Sequence, residues 1–154
     1  MNPNEWEECF LLHQRSYGDT SIIAEIFTRQ SGKMSVIARG AKKPKSKFFG
    51  YLVPFSKLQI TYSGRSELKT LTNIDRDLSL LDNNLSKKSY SLLYINELMI
   101  KLLPKDAANE DLFTLYSNFI KAAVKEADMK FLLRSFELDL LEMLGYGINF
   151  QTDI

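Results

Sequence analysis

Between Arg29 and Lys69 the chain carries ten basic residues (Arg29, Lys33, Arg39, Lys42, Lys43, Lys45, Lys47, Lys57, Arg65, Lys69) and a single acid, Glu67, an excess of nine positive charges in 41 residues. The whole chain carries only +1, so the remainder sums to minus eight and the sequence is strongly polarised. Such asymmetry points to a polyanionic partner rather than to a fold. The densest part, Arg39-Gly40-Ala41-Lys42-Lys43-Pro44-Lys45-Ser46-Lys47, is followed directly by Phe48, Phe49, Tyr51 and Phe55. Basic groups neutralise phosphates and release counterions, and aromatic rings offer stacking platforms for bases. Phe48, Phe49 and Tyr51 are therefore candidate stacking residues on a nucleic-acid-binding surface, the competing use for each ring being to fill a core.

Other chemistry is poorly supplied. Cys9 is the only cysteine and His13 the only histidine, which excludes a disulfide framework and a Cys/His zinc site within one chain. Both fall in the apolar run Cys9-Phe10-Leu11-Leu12-His13, where a place on a strand is the simpler reading. A phosphate-binding P-loop starting at Gly40 fails, because its second glycine would fall at Lys45. Most of the carboxylates at Glu97, Asp106, Glu110, Asp111, Glu137, Asp139 and Glu142 follow helix starts or polar faces, which fits solvated surface better than a metal site or an acid/base pair. No enzyme activity, metal or cofactor is expected.

The elements that must hold the basic stretch are short strands. Trp6 to Arg15 and Ser21 to Phe27 flank the turn residues Gly18-Asp19, and Ser31-Gly32 leads into Lys33 to Arg39. In that third strand Met34, Val36 and Ala38 share one face while Lys33, Ser35, Ile37 and Arg39 share the other, giving an inside and a basic outside. Pro44 blocks regular pairing in the loop from Gly40 to Gly50, and its mutually repelling lysines make it mobile when unbound, ordering on its ligand. Phe55 to Tyr62 and Glu67 to Ile74, joined by Ser63-Gly64-Arg65, complete five strands. Five short strands with regular turns fit a small closed barrel; the OB barrel is the natural candidate, although the count alone also fits an SH3-like barrel.

After Asp82 the period changes. Ser86 caps a helix with Leu92, Ile95, Met99 and Leu102 at helical spacing, ended by Pro104. Asn109 opens a second, with Leu112, Leu115, Phe119 and Ala123 on its apolar face. Asp128 opens a third, with Phe131 or Leu132, then Phe136, Leu140 and Leu144, closed by Gly145. The fold class is thus α+β, a barrel over 1–80 and a helical bundle over 85–154, with the boundary near 80–85. Apolar content of 45% and charged content of 25% are those of a folded chain, and no apolar run reaches the ~20 residues that span a bilayer. The acidic start, Glu5, Glu7 and Glu8, is unlike a signal peptide, so a cytoplasmic location is expected.

Runs in the same order across nearly the whole chain carry a resemblance. They are Leu11-Leu12-His13, Tyr17-Gly18-Asp19-Thr20-Ser21, Ile26-Phe27-Thr28, Gly32-Lys33, Ala38-Arg39-Gly40-Ala41-Lys42, Pro54-Phe55, Glu67-Leu68-Lys69-Thr70-Leu71, Tyr94-Ile95-Asn96-Glu97-Leu98, Phe136-Glu137 and Leu144-Gly145-Tyr146-Gly147-Ile148-Asn149-Phe150. Together they closely resemble the bacterial RecO family of DNA repair proteins. The resemblance implies an N-terminal OB-fold, a helical domain and a non-enzymatic recombination mediator of the RecF pathway. Such a mediator binds single- and double-stranded DNA and anneals complementary strands. With RecR, and in many bacteria RecF, it helps load RecA onto strands coated with single-stranded DNA-binding protein (SSB), acting at the nucleoid. The family's DNA contacts carry over onto Lys33, Arg39, Lys42 and Lys43; Lys45 and Lys47 join them on charge alone. Family members also recognise the acidic C-terminal tail of SSB, for which Arg134 and Phe136 are the candidates here. Family members usually continue beyond the Gly-Tyr-Gly-x-Asn-Phe segment, some with a cysteine zinc cluster, so a helical domain cut short at Ile154, with apolar surface left uncovered, is expected. The alternative is a protein-interaction module whose basic face captures an acidic peptide such as that tail, without DNA activity of its own.

Overall fold

A computed structural model of the chain describes residues 5–77, 89–125 and 128–145. The cap expected at Ser86, the boundary near 80–85 and the run Tyr146 to Phe150 lie outside the described residues. Five strands, β1 (Glu7–Tyr17), β2 (Ser21–Thr28), β3 (Gly32–Ala38), β4 (Lys57–Ser63) and β5 (Leu68–Arg76), precede three helices, α1 (Ser89–Leu102), α2 (Glu110–Lys125) and α3 (Met129–Met143).

The strands close into a barrel in the order β1-β2-β3-β5-β4, with β4 returning to β1. All neighbours are antiparallel except β3 and β5, which run parallel with Val36 beside Lys69. That is the five-stranded OB arrangement expected from the sequence, in which closure leaves no strand edge to be protected. Alternation directs Leu11, Ala24, Ile26, Met34, Val36, Leu58, Ile60, Tyr62 and Leu71 into the barrel interior.

The opposite faces of β1 and β2 are not solvated. Phe10, Leu12 and Phe27 point outward into a second core, shared with Leu92, Ile95 and Met99 of α1 and with Phe113, Tyr116 and Phe119 of α2. Phe10 lies edge-on to Tyr116, ring centroids 4.9 Å apart, and 5.4 Å from Phe113. Asn96 Nδ2 donates to the Leu12 carbonyl at 3.1 Å and Asn96 Oδ1 accepts from the Tyr116 hydroxyl, so the polar groups inside this seam are satisfied. The core between the helices therefore continues onto the outer wall of the barrel.

Local signals place the helix ends. Asn109 Oδ1 accepts from Leu112 N at 3.0 Å, Asp128 caps α3 by accepting from Phe131 N at 3.2 Å, and Gly145 sits at φ +85° beyond the α3 C-cap. The buried face of α2 differs from the expected Leu112, Leu115, Phe119 and Ala123: Leu115 is only partly buried, whereas Phe113, Tyr116 and Ile120 are buried with the other three. On α3, Phe131 is 71% exposed, so of the two residues expected to begin its apolar face only Leu132 packs against the core. Tyr90, Leu93 and Tyr94 on α1 and Leu138 and Met143 on α3 are exposed as well.

Candidate nucleic-acid interface

The segment from Gly40 to Ser56, between β3 and β4, is folded across one end of the barrel. Successive turns run along it: Lys43 N donates to Gly40 O, Ser46 N to Lys43 O, Phe49 N to Ser46 O and Tyr51 N to Phe48 O, at 2.9 to 3.2 Å. It is anchored to the β1–β2 turn by Lys42 N donating to Thr20 O at 2.9 Å, and to β5 by Arg76 donating to Gly50 O at 2.7 Å. Ala41, Phe48 and Leu52 enter the barrel core. This segment is a strap whose apolar side plugs the barrel. Turns hold its backbone, so Pro44 interrupts no ladder.

The plug sorts the expected aromatics. Phe48 is 6% exposed and packs inside the barrel, which removes it from the stacking candidates. Phe49 is 51% exposed, and half-buried Tyr51 lies under the Arg76 guanidinium, 5.1 Å from its ring centroid. Sequence alone could not separate the neighbours Phe48 and Phe49, because direction within a turn depends on what the strap covers.

The cations are sorted too. Arg39, Lys42, Lys43, Lys45 and Lys47 are exposed, and none takes part in an ion pair among the described residues. Lys47 Nζ donates to Asn73 Oδ1 at 3.3 Å, at the β5 side of the strap. Three others of the ten are engaged inside the protein. Arg29 donates to Glu8 at 2.6 Å and lies over the Phe113 ring at 4.5 Å. Lys57 sits between Glu8 and Asp77 at 3.8 and 3.4 Å. Lys33, expected on the basic outside of β3, is 6% exposed, and its ammonium donates to the Ile100 carbonyl at 2.5 Å. The outside of β3 at Lys33 is covered, which removes this residue from the candidate interface and corrects the expectation of a uniformly exposed basic face.

Two residues that sequence reasoning passed over stand near the strap. Arg15 and Tyr17 lie at the exposed far end of β1, beside the turn whose Thr20 holds Lys42. Alternation of His13, Arg15 and Tyr17 beyond the apolar run was the available signal. In α3, Arg134 is exposed whereas Phe136 is 3% exposed, 4.6 Å from the Phe119 ring. Two positions along a helix turn the side chain by roughly 200°, so these residues do not form one surface, and Phe136 is withdrawn as a tail-binding residue.

Among the described residues no group of three or more His, Cys, Asp or Glu could hold a metal ion, and no helix is long and apolar enough to cross a membrane.

A closed OB-type barrel, plugged by a cationic strap and buttressed by helices, defines the class. Residues 1–76 match the family described as recombination protein O N terminal, and residues 86–154 match recombination protein O C terminal. The chain belongs to the recombination protein O (RecO) family. It is 36% identical over 147 residues to DNA repair protein RecO of Haemophilus influenzae, covering 96% of this chain and 62% of that protein. It is 38% identical over 146 residues to the Pasteurella multocida protein of the same name, and 40% identical over 147 residues to that of Salmonella newport; each match covers 94% of this chain and 60% of the relative. The chain thus spans about three fifths of the length of these relatives.

Proposed function

We propose that the chain is a DNA-binding protein of repair and recombination whose strap grips the phosphates of single- and double-stranded DNA. Five exposed cations, Arg39 at the start of the strap and Lys42, Lys43, Lys45 and Lys47 along it, have no acid paired to them among the described residues, and this distribution supports the reading best. Phe49, exposed two residues beyond Lys47, supplies a ring for a base. Contacts of this kind read charge and stacking rather than sequence, which suits a protein that anneals complementary strands. The relatives' shared name, DNA repair protein, supports the biological role. In the full reading the protein acts without chemistry of its own, with RecR, to help load RecA onto SSB-coated single strands, working at the nucleoid in the cytoplasm.

The test is binding against salt. Five phosphate contacts predict a slope of log affinity against log salt of about −3.5 on single strands. Replacing Lys42 and Lys43 by Glu is expected to flatten the slope and weaken binding while the thermal midpoint stays in place. A wild-type affinity indifferent to salt, alongside tight capture of an acidic peptide, would instead favour a protein-interaction module. Annealing of complementary oligonucleotides, with and without SSB, tests the activity itself.

A further inference from the structure

The two ends of the barrel differ. One is closed by the strap. At the other, bounded by the β2–β3 turn, the β4–β5 turn and the α1–α2 connection, a cleft of about 620 Å³ opens, with Arg65, Lys69 and Ser63 around it, Asp106 on the helical side and the buried residues Met34 and Tyr62 in its wall. Arg65 and Lys69 belong to the basic stretch but not to the strap.

The walls are fixed by contacts that do not need a ligand. Buried Glu7 accepts from Gln30 N at 2.9 Å, from Ser31 Oγ at 3.3 Å and from the Tyr62 hydroxyl at 3.0 Å, which ties the β2–β3 turn to β4. The α1–α2 connection is held by Asp106 N donating to Lys33 O at 2.9 Å and by Gly32, whose bare Cα lets Ala107 approach. Lys69 is on β5, paired with Val36. The cleft is preformed, and its volume falls in the range of small-ligand sites.

Its chemistry is mixed in a particular way. Arg65 and Lys69 suit a phosphate, and neither has an ion-pair partner among the described residues. Met34 and the Tyr62 ring offer an apolar wall to a flat heterocycle. Asp106 accepts hydrogen bonds only, so it favours an amino or hydroxyl group and opposes a second anion. An acidic peptide would meet that carboxylate, and inorganic phosphate would leave the apolar wall uncovered. We propose that this cleft binds a nucleoside phosphate. A free nucleotide and the phosphorylated end of a DNA strand share that chemistry. The site is separate from the strap and does not rest on the reading of the strap.

The full chain, labelled with nitrogen-15, is titrated with deoxyadenosine monophosphate, inorganic phosphate, an acidic peptide and a short oligonucleotide with or without a 5′-phosphate. The nucleotide is expected to shift amides within 30–34, 62–69 and 105–108. The Arg65→Gln/Lys69→Gln double variant should lose about tenfold or more in affinity, and Lys42→Glu/Lys43→Glu should stay within about twofold for the mononucleotide because the two sites are apart. The same spectra report whether each variant is folded, and Asp106→Asn, which keeps a residue tolerant of its φ of +56°, should weaken nucleotide but not inorganic phosphate. Competition by the 5′-phosphorylated oligonucleotide alone assigns the site to strand ends, and no competition assigns it to free nucleotide. Equal response to inorganic phosphate or to the peptide, no shift at these amides, or full affinity in the folded double variant overturns the proposal.

Discussion

The ammonium of Lys33, on the third strand of the barrel, donates to the carbonyl oxygen of Ile100 in the last turn of α1, 2.5 Å away. The last carbonyls of a helix lack intrahelical partners and carry its negative end, so a cation there is favoured on both counts. A residue that the charge pattern assigns to DNA is thereby a clasp between barrel and helices. Lys33→Met is expected to cost about 1–3 kcal/mol of stability by leaving the carbonyl unsatisfied. DNA affinity at fixed salt should not change. Denaturant unfolding and an oligonucleotide titration on the same variant check both, and a large loss of affinity in a fully folded variant would return Lys33 to the interface.

Gly32 and Gly40 both have positive φ, +77° and +72°, but their surroundings differ. A Cβ at Gly32 would lie 2.3 Å from the Ala107 carbonyl oxygen, whereas at Gly40 nothing lies within 4 Å. Gly40→Ala should therefore cost only the left-handed backbone penalty, about 1–2 kcal/mol. Gly32→Ala must in addition push the α1–α2 connection off the barrel, and should destabilise more and expose the amides of 105–108 to hydrogen exchange. Equal losses in the two variants would mean that the connection yields without cost.

Phe48 and Phe49 separate packing from binding. Phe48→Ala removes a ring from the barrel core and should cost about 3–5 kcal/mol. Phe49→Ala should stay within about 0.5 kcal/mol of wild type in stability and lose about 1–3 kcal/mol of single-strand affinity. Unfolding and binding curves for the two variants give the comparison, and undiminished affinity in Phe49→Ala would leave the strap with charge contacts alone.

What could be read beforehand follows from the range of the forces involved. Alternation at Met34, Val36 and Ala38 and at Leu58, Ile60 and Tyr62 is local, and it places the strands. Asn109, Asp128 and Gly145 mark helix ends by chemistry acting over a few residues. The unbroken apolar run Cys9-Phe10-Leu11-Leu12 also held a signal, since a strand buried on both faces need not alternate. Which element covers an outward face is not local, and there sequence reasoning failed. Lys33 opposes Met34 along the strand, a pattern that predicts a solvated side chain, but α1, which ends some 70 residues later, reaches it. Phe136 failed by the same logic: neighbouring Arg134 suggests a surface, whereas helical rotation turns the ring toward Phe119.

Cys9 is fully buried within the barrel, and burial together with Glu7 and Glu8 pushes its thiol well above the ordinary range. It should resist a thiol reagent at neutral pH in the native protein and react once denaturant opens the barrel. Labelling rates across a denaturant series then report barrel opening directly. Fast labelling without denaturant would mean that β1 detaches locally at low cost.

Alkaline stability follows from the same burial. Burial foremost raises Tyr62 from an ordinary value near 10 to about 12, and burial also raises Tyr116. The unfolded chain releases these phenolic protons near pH 10 while the folded chain keeps them. The folded state therefore holds more protons between about pH 10 and 12, and stability must fall as pH rises through that window. Lys33 acts with the opposite sign: burial lowers its value below the ordinary 10.5, so just below that pH the unfolded chain holds the extra proton and stability rises with pH. Tyr62→Phe is expected to lose stability at neutral pH, because Glu7 gives up one of its three donors, and to lose less of what remains between pH 10 and 12. Denaturant midpoints from pH 7 to 12 for wild type and variant provide the measurement. Parallel curves would show that Tyr62 does not govern the alkaline loss.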